Sequence, residues 1–204
     1  FIANRIGTYA IYKGIEHMVA MGMTVEEVDA VAGPATARPK SAAFRTADLV
    51  GLDTLGHVGT NSNELLPNDE ERHVFKMPEF MKKMIDGGLL GNKSGGGFYK
   101  KETVGGKKNL FYYDYNSGAY QPLAKPKFAS VQNVKQVDSP SQKVKMVVSG
   151  SDKGAEFAWK SLRDTLIYAV NRIPEIADDV VNVDNAMRWG FNWEIGPFEM
   201  LDAI

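Results

Sequence analysis

The 204-residue sequence has no cysteine, almost no net charge and no long apolar run. The lack of cysteine excludes disulfides, thiolate metal sites and thiol catalysis. The formal charge of −1, with both signs interspersed, does not give the basic surface of a general nucleic-acid binder. No stretch approaches the roughly 18 apolar residues of a membrane span, and no signal peptide is visible. We therefore expect a soluble cytoplasmic protein without a nucleic-acid partner.

Two kinds of catalytic signature are also missing. No Gly-x-Gly-x-x-Gly follows a strand, so we expect no dinucleotide-binding residues in this chain. The histidines are His17, His57 and His73, and none stands in a recognisable acid–base or metal-ligand pattern. His17 lies between apolar helical positions, which predicts a structural role, and His57 is expected at a helix end. We predict no metal site.

The first part of the chain has an apolar pattern with helical spacing. The sequence opens on FIANR at residues 1–5 without a methionine, and apolar residues continue at helical spacing to Val19. This pattern predicts a central, largely buried helix ending at Gly22. Because it starts inside an apolar segment, we expect the chain to be a piece of a longer polypeptide. TVEE at 24–27 predicts a capping box, and Ser41 is expected to cap a further helix.

The middle of the chain has a different character. Residues 98–123 are rich in aromatics and glycine, with turn signals at 104–107 and 116–118, and they predict a small β-meander with a packed aromatic face. An acyl-chain or partner contact is the alternative for these aromatics. Residues 124–151 indicate a polar connector with a strand at 143–148. Helical spacing resumes at Phe157.

The later helical part repeats the earlier one. VDAV at 28–31 is echoed by VDNA at 183–186, and FRTADL at 44–49 by FEMLDA at 198–203, a period of about 155 residues. We predict a mainly α fold of two related helical units packed as a pseudo-twofold pair, with a small β-meander insertion. The expected boundaries are 1–97 for the first unit, 98–151 for the insertion, and 152–204 for a second, truncated copy.

Four of these segments resemble one family. FIANR at 1–5, RPKSAAFRTADLVGLDT at 38–54, LGNKSGGGFY at 90–99 and GPFEMLD at 196–202 are similar, in that order, to the C-terminal helical domain of 3-hydroxyacyl-CoA dehydrogenases. That domain resembles the C-terminal domain of 6-phosphogluconate dehydrogenase. Two copies in one chain resemble the multifunctional enzymes of fatty-acid β-oxidation, in which the second copy stands in for a dimer partner.

The resemblance implies an NAD-dependent oxidation of L-3-hydroxyacyl-CoA to 3-ketoacyl-CoA in the parent enzyme. It also implies that NAD and the catalytic histidine–glutamate pair belong to an N-terminal dinucleotide-binding domain, joined in cis and absent here. Asn4 matches the family's cleft asparagine near the acyl-CoA substrate. The fragment alone is therefore expected to be inactive. An asparagine at a helix start that bonds its own backbone is the other interpretation of Asn4.

Several other residues have more than one possible role. The loop at 93–97 could meet a CoA phosphate or form a tight turn, and the turn is favoured. Arg38, Lys40 and Arg45 form a basic cluster that is either a solvated face or a contact with CoA or the absent domain. Asp48 and Asp202 occupy equivalent positions in the two copies, which favours a packing or capping role over catalysis. As a whole, the chain could instead be a purely structural or dimerisation module, or the helical domain of a related β-hydroxyacid dehydrogenase.

Overall fold

Helices make up most of the chain, and one small antiparallel sheet interrupts them. The structure is a computed structural model that describes residues 2–104 and 106–204, so Phe1 and Gly105 of the predicted 104–107 turn lie outside the described residues. The elements in chain order are α1 Ile2–Ala20, α2 Val25–Val31, α3 Phe44–Val50, α4 Leu52–Leu65, α5 Glu79–Asp86, β1 Tyr99–Val104, β2 Lys107–Asp114, β3 Ala119–Pro122, α6 Ala129–Asn133, α7 Pro140–Val148, α8 Lys153–Asn171, α9 Val180–Gly190 and α10 Pro197–Ala203. None of the helices in the described ranges is long and apolar enough to cross a bilayer.

Helix α1 forms the centre of the molecule, as its apolar pattern predicts. Ile6, Ile15 and Met18 are almost completely buried on it. Its main contacts are with α8 and α9. Tyr9 stacks on Tyr168 of α8 with ring centroids 3.8 Å apart and planes 4° from parallel. Burial on several sides explains why α1 lacks a strongly polar face.

The starts of α2 and α3 are capped by side chains. Thr24 and Glu27 form the predicted capping box of α2. The prediction that Ser41 caps α3 is wrong, because the carboxylate of Asp29 accepts hydrogen bonds from the N–H groups of Ala43, Phe44 and Arg45 instead. A carboxylate brought from α2 thus satisfies the start of α3 and fixes the two helices to each other.

The predicted β-meander is present, with strand order β1-β2-β3. Tyr99 lies opposite Tyr112 in the register of β1 with β2, and Tyr113 lies opposite Tyr120 in that of β2 with β3. Phe98, Tyr99 and Tyr113 are buried in the core of the first unit. Because Tyr112 and Tyr113 are adjacent in β2, these registers put buried aromatic residues on both faces of the sheet, and the expectation of one packed aromatic face is wrong in that respect.

The predicted strand at 143–148 is wrong, because these residues lie in α7. Ser139 accepts a hydrogen bond from the Gln142 N–H as an N-cap, and Pro140 occupies the first turn of the helix. Val144 and Val147 are both fully buried, three residues apart on one face of α7. The capping pair and this spacing outweigh the β-propensity of the valines.

The duplicated sequence corresponds to a duplicated structure. Thr24 caps α2 and Asp179 caps α9, each accepting from the N–H three residues later. Asp184 of α9 accepts from the N–H groups of Phe198 and Glu199 at the start of α10, as Asp29 does at α3. The prediction of a mainly α fold with a small β insertion is confirmed.

The two units meet at a pair of equivalent bends. Ala37 and Asn192 both have left-handed backbone conformations, with φ of 56° and 55°. The Glu194 N–H donates to the Ala37 carbonyl at 2.9 Å, and the Arg38 guanidinium lies 4.7 Å from the centroid of the Trp193 ring. These contacts join the segment before α3 to the segment before α10.

Candidate functional site

Asn4 lies in the first turn of α1 with an exposed side chain. The residues on either side of it are engaged with the protein. Ala3 is so close to Gly190 that a Cβ there would lie 2.7 Å from the Ala3 Cβ, and the Arg5 side chain is only 10% exposed. Among the described residues, the Asn4 side chain hydrogen-bonds to no other protein group. The structure therefore presents an amide outward from a fixed helix end.

Arg5 is the residue that fixes this helix end. Its Nε donates to the Tyr168 hydroxyl at 2.6 Å, and its Nη2 donates to Asp69 Oδ2 at 2.6 Å. The Tyr168 hydroxyl donates to the same Asp69 oxygen at 2.6 Å, and Glu175 lies 3.1 Å from Nη2. The start of α1 is thus tied both to the end of α8 and to the turn at Asp69.

The electrostatics of this network favour its ionised form. The Asp69 side chain is fully buried, which alone would raise its pKa. The hydrogen bond from Tyr168, the Glu71 N–H and the cations Arg5 and Arg172 outweigh that effect and hold the pKa of Asp69 below its ordinary value. Breaking a buried pair of this kind by removing one partner is costly, because it leaves the other charge uncompensated.

The histidines lie away from this site. His17 Nε2 is 2.7 Å from Asp164 Oδ2, a pairing of α1 with α8 that the sequence did not reveal. His17 is 13 residues along the same helix from Asn4, a separation of about 20 Å at 1.5 Å per residue. His57, within α4 rather than at a helix end, and His73 are both exposed. The structure brings no histidine to Asn4 among the residues it describes.

The glycine-rich loop at 91–97 encloses the carboxylate of Asp48. Its oxygens accept from the N–H groups of Phe98 and Tyr99, both at 2.8 Å. A Cβ at Gly97 would overlap Asp48 Oδ1, and one at Gly91, where φ is 98°, would overlap the Asp48 backbone. Burial raises the pKa of Asp48 to about 6, against these donors, which lower it. The glycines therefore allow a close approach to a carboxylate, and Asp48 has the packing role that its place in the repeat predicted.

The polar groups of the same loop are bonded within the protein. Lys93 Nζ donates to the Asp53 carboxylate at 2.5 and 2.7 Å. The Ser94 hydroxyl accepts from the Leu90 N–H at 2.8 Å and donates to the Gly96 carbonyl at 2.9 Å. These bonds support the turn interpretation of the loop over a phosphate cradle.

The basic cluster of the sequence is divided by the fold. Arg38 is 8% exposed, and burial lowers its pKa to about 10. Arg45 lies on α3 against a different neighbour, with its guanidinium 4.5 Å from the centroid of the Tyr99 ring, beside an open cavity of about 580 Å³. Lys40 is exposed. Arg38 is a junction residue between the units rather than part of a shared basic face.

Comparison with known proteins points to the same family that the four sequence segments resemble. Residues 1–101 match the family model described as 3-hydroxyacyl-CoA dehydrogenase, C-terminal domain. Over this half of its length the chain belongs to the 3-hydroxyacyl-CoA dehydrogenase family. The matched part of the dehydrogenase domain contains Asn4, Arg5, the caps of α2 and α3, and the glycine-rich loop.

Individual relatives extend the similarity to the whole chain. A probable 3-hydroxyacyl-CoA dehydrogenase of Bacillus subtilis is 43% identical over all 204 residues, which cover 25% of that protein. A probable 3-hydroxyacyl-CoA dehydrogenase of Deinococcus radiodurans is 52% identical over 101 residues, half of this chain and 28% of the relative. A putative fatty acid oxidation complex trifunctional enzyme of Rickettsia prowazekii is 24% identical over 202 residues, 98% of this chain and 26% of the relative. The chain spans about a quarter of the length of these relatives.

Sequence reasoning singled out Asn4 but missed the residues that hold it. The one sequence signal that could have found these residues is Arg5 itself. It is a cation at the start of a mostly apolar helix, and such a cation needs a partner. Its partners Asp69 and Tyr168 lie 64 and 163 residues away. No local pattern joins residues at such separations.

Proposed function

We propose that this chain is the substrate-side helical domain of an NAD-dependent L-3-hydroxyacyl-CoA dehydrogenase of fatty-acid β-oxidation. The parent enzyme would oxidise 3-hydroxyacyl-CoA to 3-ketoacyl-CoA. The observation that carries the proposal is the exposed Asn4 amide on a helix end held by buried ion pairs, within the part that matches the family. The names of the relatives support the reaction class.

The residues described here do not fit a dinucleotide. The only sheet in the described ranges is antiparallel, and the glycine-rich loop is occupied by Asp48. A pyrophosphate site of the usual kind needs a glycine turn between a parallel strand and a helix. We therefore assign NAD, which accepts the hydride, and the proton-accepting histidine–glutamate pair to an N-terminal domain joined in cis.

The contribution of this chain is the placement of one amide. Asn4 can donate and accept hydrogen bonds without changing charge near neutral pH. Arg5 acts as a positioning residue, because its bonds to Asp69 and Tyr168 fix the turn of α1 that carries Asn4. A fixed amide of this kind suits a contact with the acyl-CoA thioester or with the catalytic histidine.

The test is Asn4→Ala in the full-length enzyme. We expect turnover to fall by about 10²–10³, as for the loss of one oriented polar contact, with unchanged assembly and thermal stability. Asn61→Ala is the matched control, since Asn61 is also an exposed helical asparagine and lies on α4. Wild-type turnover with altered assembly would instead support the purely structural or dimerisation module.

A second measurement concerns the isolated chain. Without the dinucleotide domain it should not reduce acetoacetyl-CoA with NADH, whatever its concentration. Measurable reduction by the purified 204-residue chain would contradict the division of the active site proposed above. Substrate profiling of the parent against 3-hydroxyacyl-CoA and other β-hydroxyacids separates this assignment from a related β-hydroxyacid dehydrogenase.

We also propose 1–97 and 152–204 as the two helical units and 98–151 as the connector. The equivalent caps at Thr24 and Asp179 and the equivalent carboxylates at Asp29 and Asp184 support this division. Location in the cytoplasm stays a prediction from the sequence.

A further inference from the structure

Arg38 is buried at the joint between the two helical units without a partner for its charge. It is 8% exposed, and its Nε and Nη2 atoms have no hydrogen-bond partner among the described residues. Its guanidinium lies 4.7 Å from the centroid of the Trp193 ring, a contact that favours a cation but does not neutralise it. Burial lowers the pKa of Arg38 to about 10, so the group is still charged at neutral pH. A buried charge of this kind is costly unless a counter-ion compensates it.

Two carboxylates lie on the segments around this joint, and both are bonded elsewhere. Glu194 follows Trp193 in the chain, but its Oε2 faces Lys143 Nζ at 3.7 Å. Asp29 accepts the backbone N–H groups at the start of α3. Within the part of the chain that the structure describes, neither of them forms an ion pair with Arg38. The protein itself therefore supplies no counter-ion from these two groups.

A small cavity adjoins the guanidinium. Its volume is about 30 Å³, and apart from Arg38 most of the side chains that line it are apolar, among them Ile11 and Phe191. The Thr46 hydroxyl, which also lines the cavity, donates to the Ala42 carbonyl at 2.6 Å. Nε and Nη2 form the edge of the guanidinium on which two N–H bonds point the same way. Arg38 thus supplies a pair of unpaired donors in a largely apolar lining.

The chemistry of the lining favours an anion as the occupant. An arginine side chain donates hydrogen bonds and never accepts them, so the occupant must be an acceptor. A water molecule also needs acceptors for its own hydrogens, and a largely apolar lining is poor in them. An anion needs donors alone, and it compensates the charge of Arg38. A cavity of about 30 Å³ suits a monatomic ion rather than a phosphate.

We propose that Arg38 and this cavity bind one chloride ion at the joint between the two helical units, with Nε and Nη2 as its donors. The lining comes from both units, with Ile11 and Arg38 in the first and Phe191 and Trp193 in the second. Chloride would therefore stabilise the contact between the units. This role is independent of the substrate and of the reaction proposed for the parent enzyme.

The first test is thermal unfolding of the 204-residue chain while sodium gluconate is replaced by sodium chloride at constant ionic strength. Gluconate is too large for the cavity, so the exchange changes the occupancy of the site and leaves the screening of surface charges unchanged. Once chloride exceeds its Kd, each further tenfold rise in concentration should raise the Tm by about 3–5 °C. A Tm that is the same in both salts would overturn the proposal.

Substitution of Arg38 assigns the effect to the site. Arg38→Met keeps an apolar side chain of similar length, removes the charge and the donors, and should abolish the rise of the Tm with chloride. Arg45→Met is the matched control, because Arg45 also lies against an aromatic ring, 4.5 Å from the centroid of Tyr99, but is exposed. It should keep the chloride effect. An equal chloride effect in Arg38→Met, or its loss in both variants, would contradict the assignment.

Diffraction with bromide gives a readout that does not depend on a variant folding. Bromide replaces chloride and scatters anomalously, so crystals of the unsubstituted chain grown in sodium bromide should show an anomalous peak beside Nε and Nη2 of Arg38. Ordered water without anomalous signal at this position would overturn the proposal. Anomalous peaks confined to the protein surface would also overturn it, because they would show an adventitious ion only.

Discussion

Asp29 and Asp184 hold the same place in the two helical units, yet their surroundings differ. Asp29 accepts hydrogen bonds from three backbone N–H groups and from the Tyr99 hydroxyl. Asp184 accepts from two backbone N–H groups. Two of the N–H bonds are shared between the units. The third differs locally, because the counterpart of Ala43 is Pro197, which has no N–H. The bond from the Tyr99 hydroxyl comes from the β-meander. A duplicated unit can thus keep its internal caps while its outer cover changes.

The largest difference in stability between the units should appear when Asp29 and Asp184 are removed in separate variants. Asp29→Ala leaves three N–H groups and a buried hydroxyl without their acceptor, and we expect a loss of about 4 kcal/mol in the free energy of unfolding. Asp184→Ala removes only two bonds and should cost about 2 kcal/mol. Chemical denaturation of both variants measures the pair. Equal losses would show that neither the Ala43 N–H bond nor the Tyr99 hydroxyl adds to the stability of the Asp29 site.

The two carboxyls should also differ from exposed aspartates in their titration. Burial raises the pKa of Asp29 to about 7, against its hydrogen bonds, and burial also raises the pKa of Asp184. An unfolded aspartate titrates near 3.9. The folded state therefore binds the Asp29 proton more tightly, so this group adds stability as pH falls from about 7 towards 4 and loses it as pH rises through 7.

Carboxyl ¹³C shifts followed by NMR report these midpoints residue by residue. The Asp29→Asn variant, which cannot titrate, should lose the corresponding part of the pH dependence of unfolding. A midpoint for Asp29 in the ordinary aspartate range would mean that its four donors outweigh its burial.

A smaller change converts the first unit partly into the second. Tyr99→Phe removes the hydroxyl that reaches Asp29 and keeps the ring under Arg45. We expect a loss of about 1 kcal/mol, the net value of one hydrogen bond, and a reduced difference between the effects of Asp29→Ala and Asp184→Ala. A double-mutant cycle of Tyr99→Phe with Asp29→Ala checks it, and additive effects would rule out a direct coupling.

The smallest expected difference lies at the helix caps. Thr24→Ala and Asp179→Ala each remove one side-chain acceptor at equivalent helix starts. Each should cost about 1 kcal/mol, and the two losses should agree within experimental error. Unfolding measurements on the two variants test whether the two N-caps, which have the same geometry, also contribute the same free energy.

The parts of the fold that were predictable depend on local patterns. Helix α1 follows from apolar spacing, the α2 start from TVEE, and the β-meander from its content of aromatic, glycine and turn residues. The predicted strand at α7 is wrong because valines favour strands on average, whereas Ser139 and Pro140 supply a helix start. The expected Ser41 cap failed because Asp29, a more distant acceptor, occupies that role.

The candidate site was predictable only at Asn4, and there through resemblance. The pairing of Arg5 with Asp69 and Tyr168, and of His17 with Asp164, joins residues that lie 64 to 163 positions apart. Such contacts depend on how α1 packs against α8, which the period of apolar residues does not specify. The role of Gly97 was likewise hidden, because its necessity comes from the distant Asp48.

The position of Trp193 makes the joint between the two units optically visible. Trp159 and Trp189 are 43% and 79% exposed, whereas Trp193 is 6% exposed and lies against the Arg38 guanidinium of the other unit. Trp193 is therefore the tryptophan whose fluorescence should be blue-shifted and shielded from aqueous quenchers. In a protein with Trp159 and Trp189 replaced by phenylalanine, the emission of Trp193 would report the separation of the two units. This signal would be distinct from the unfolding of either unit.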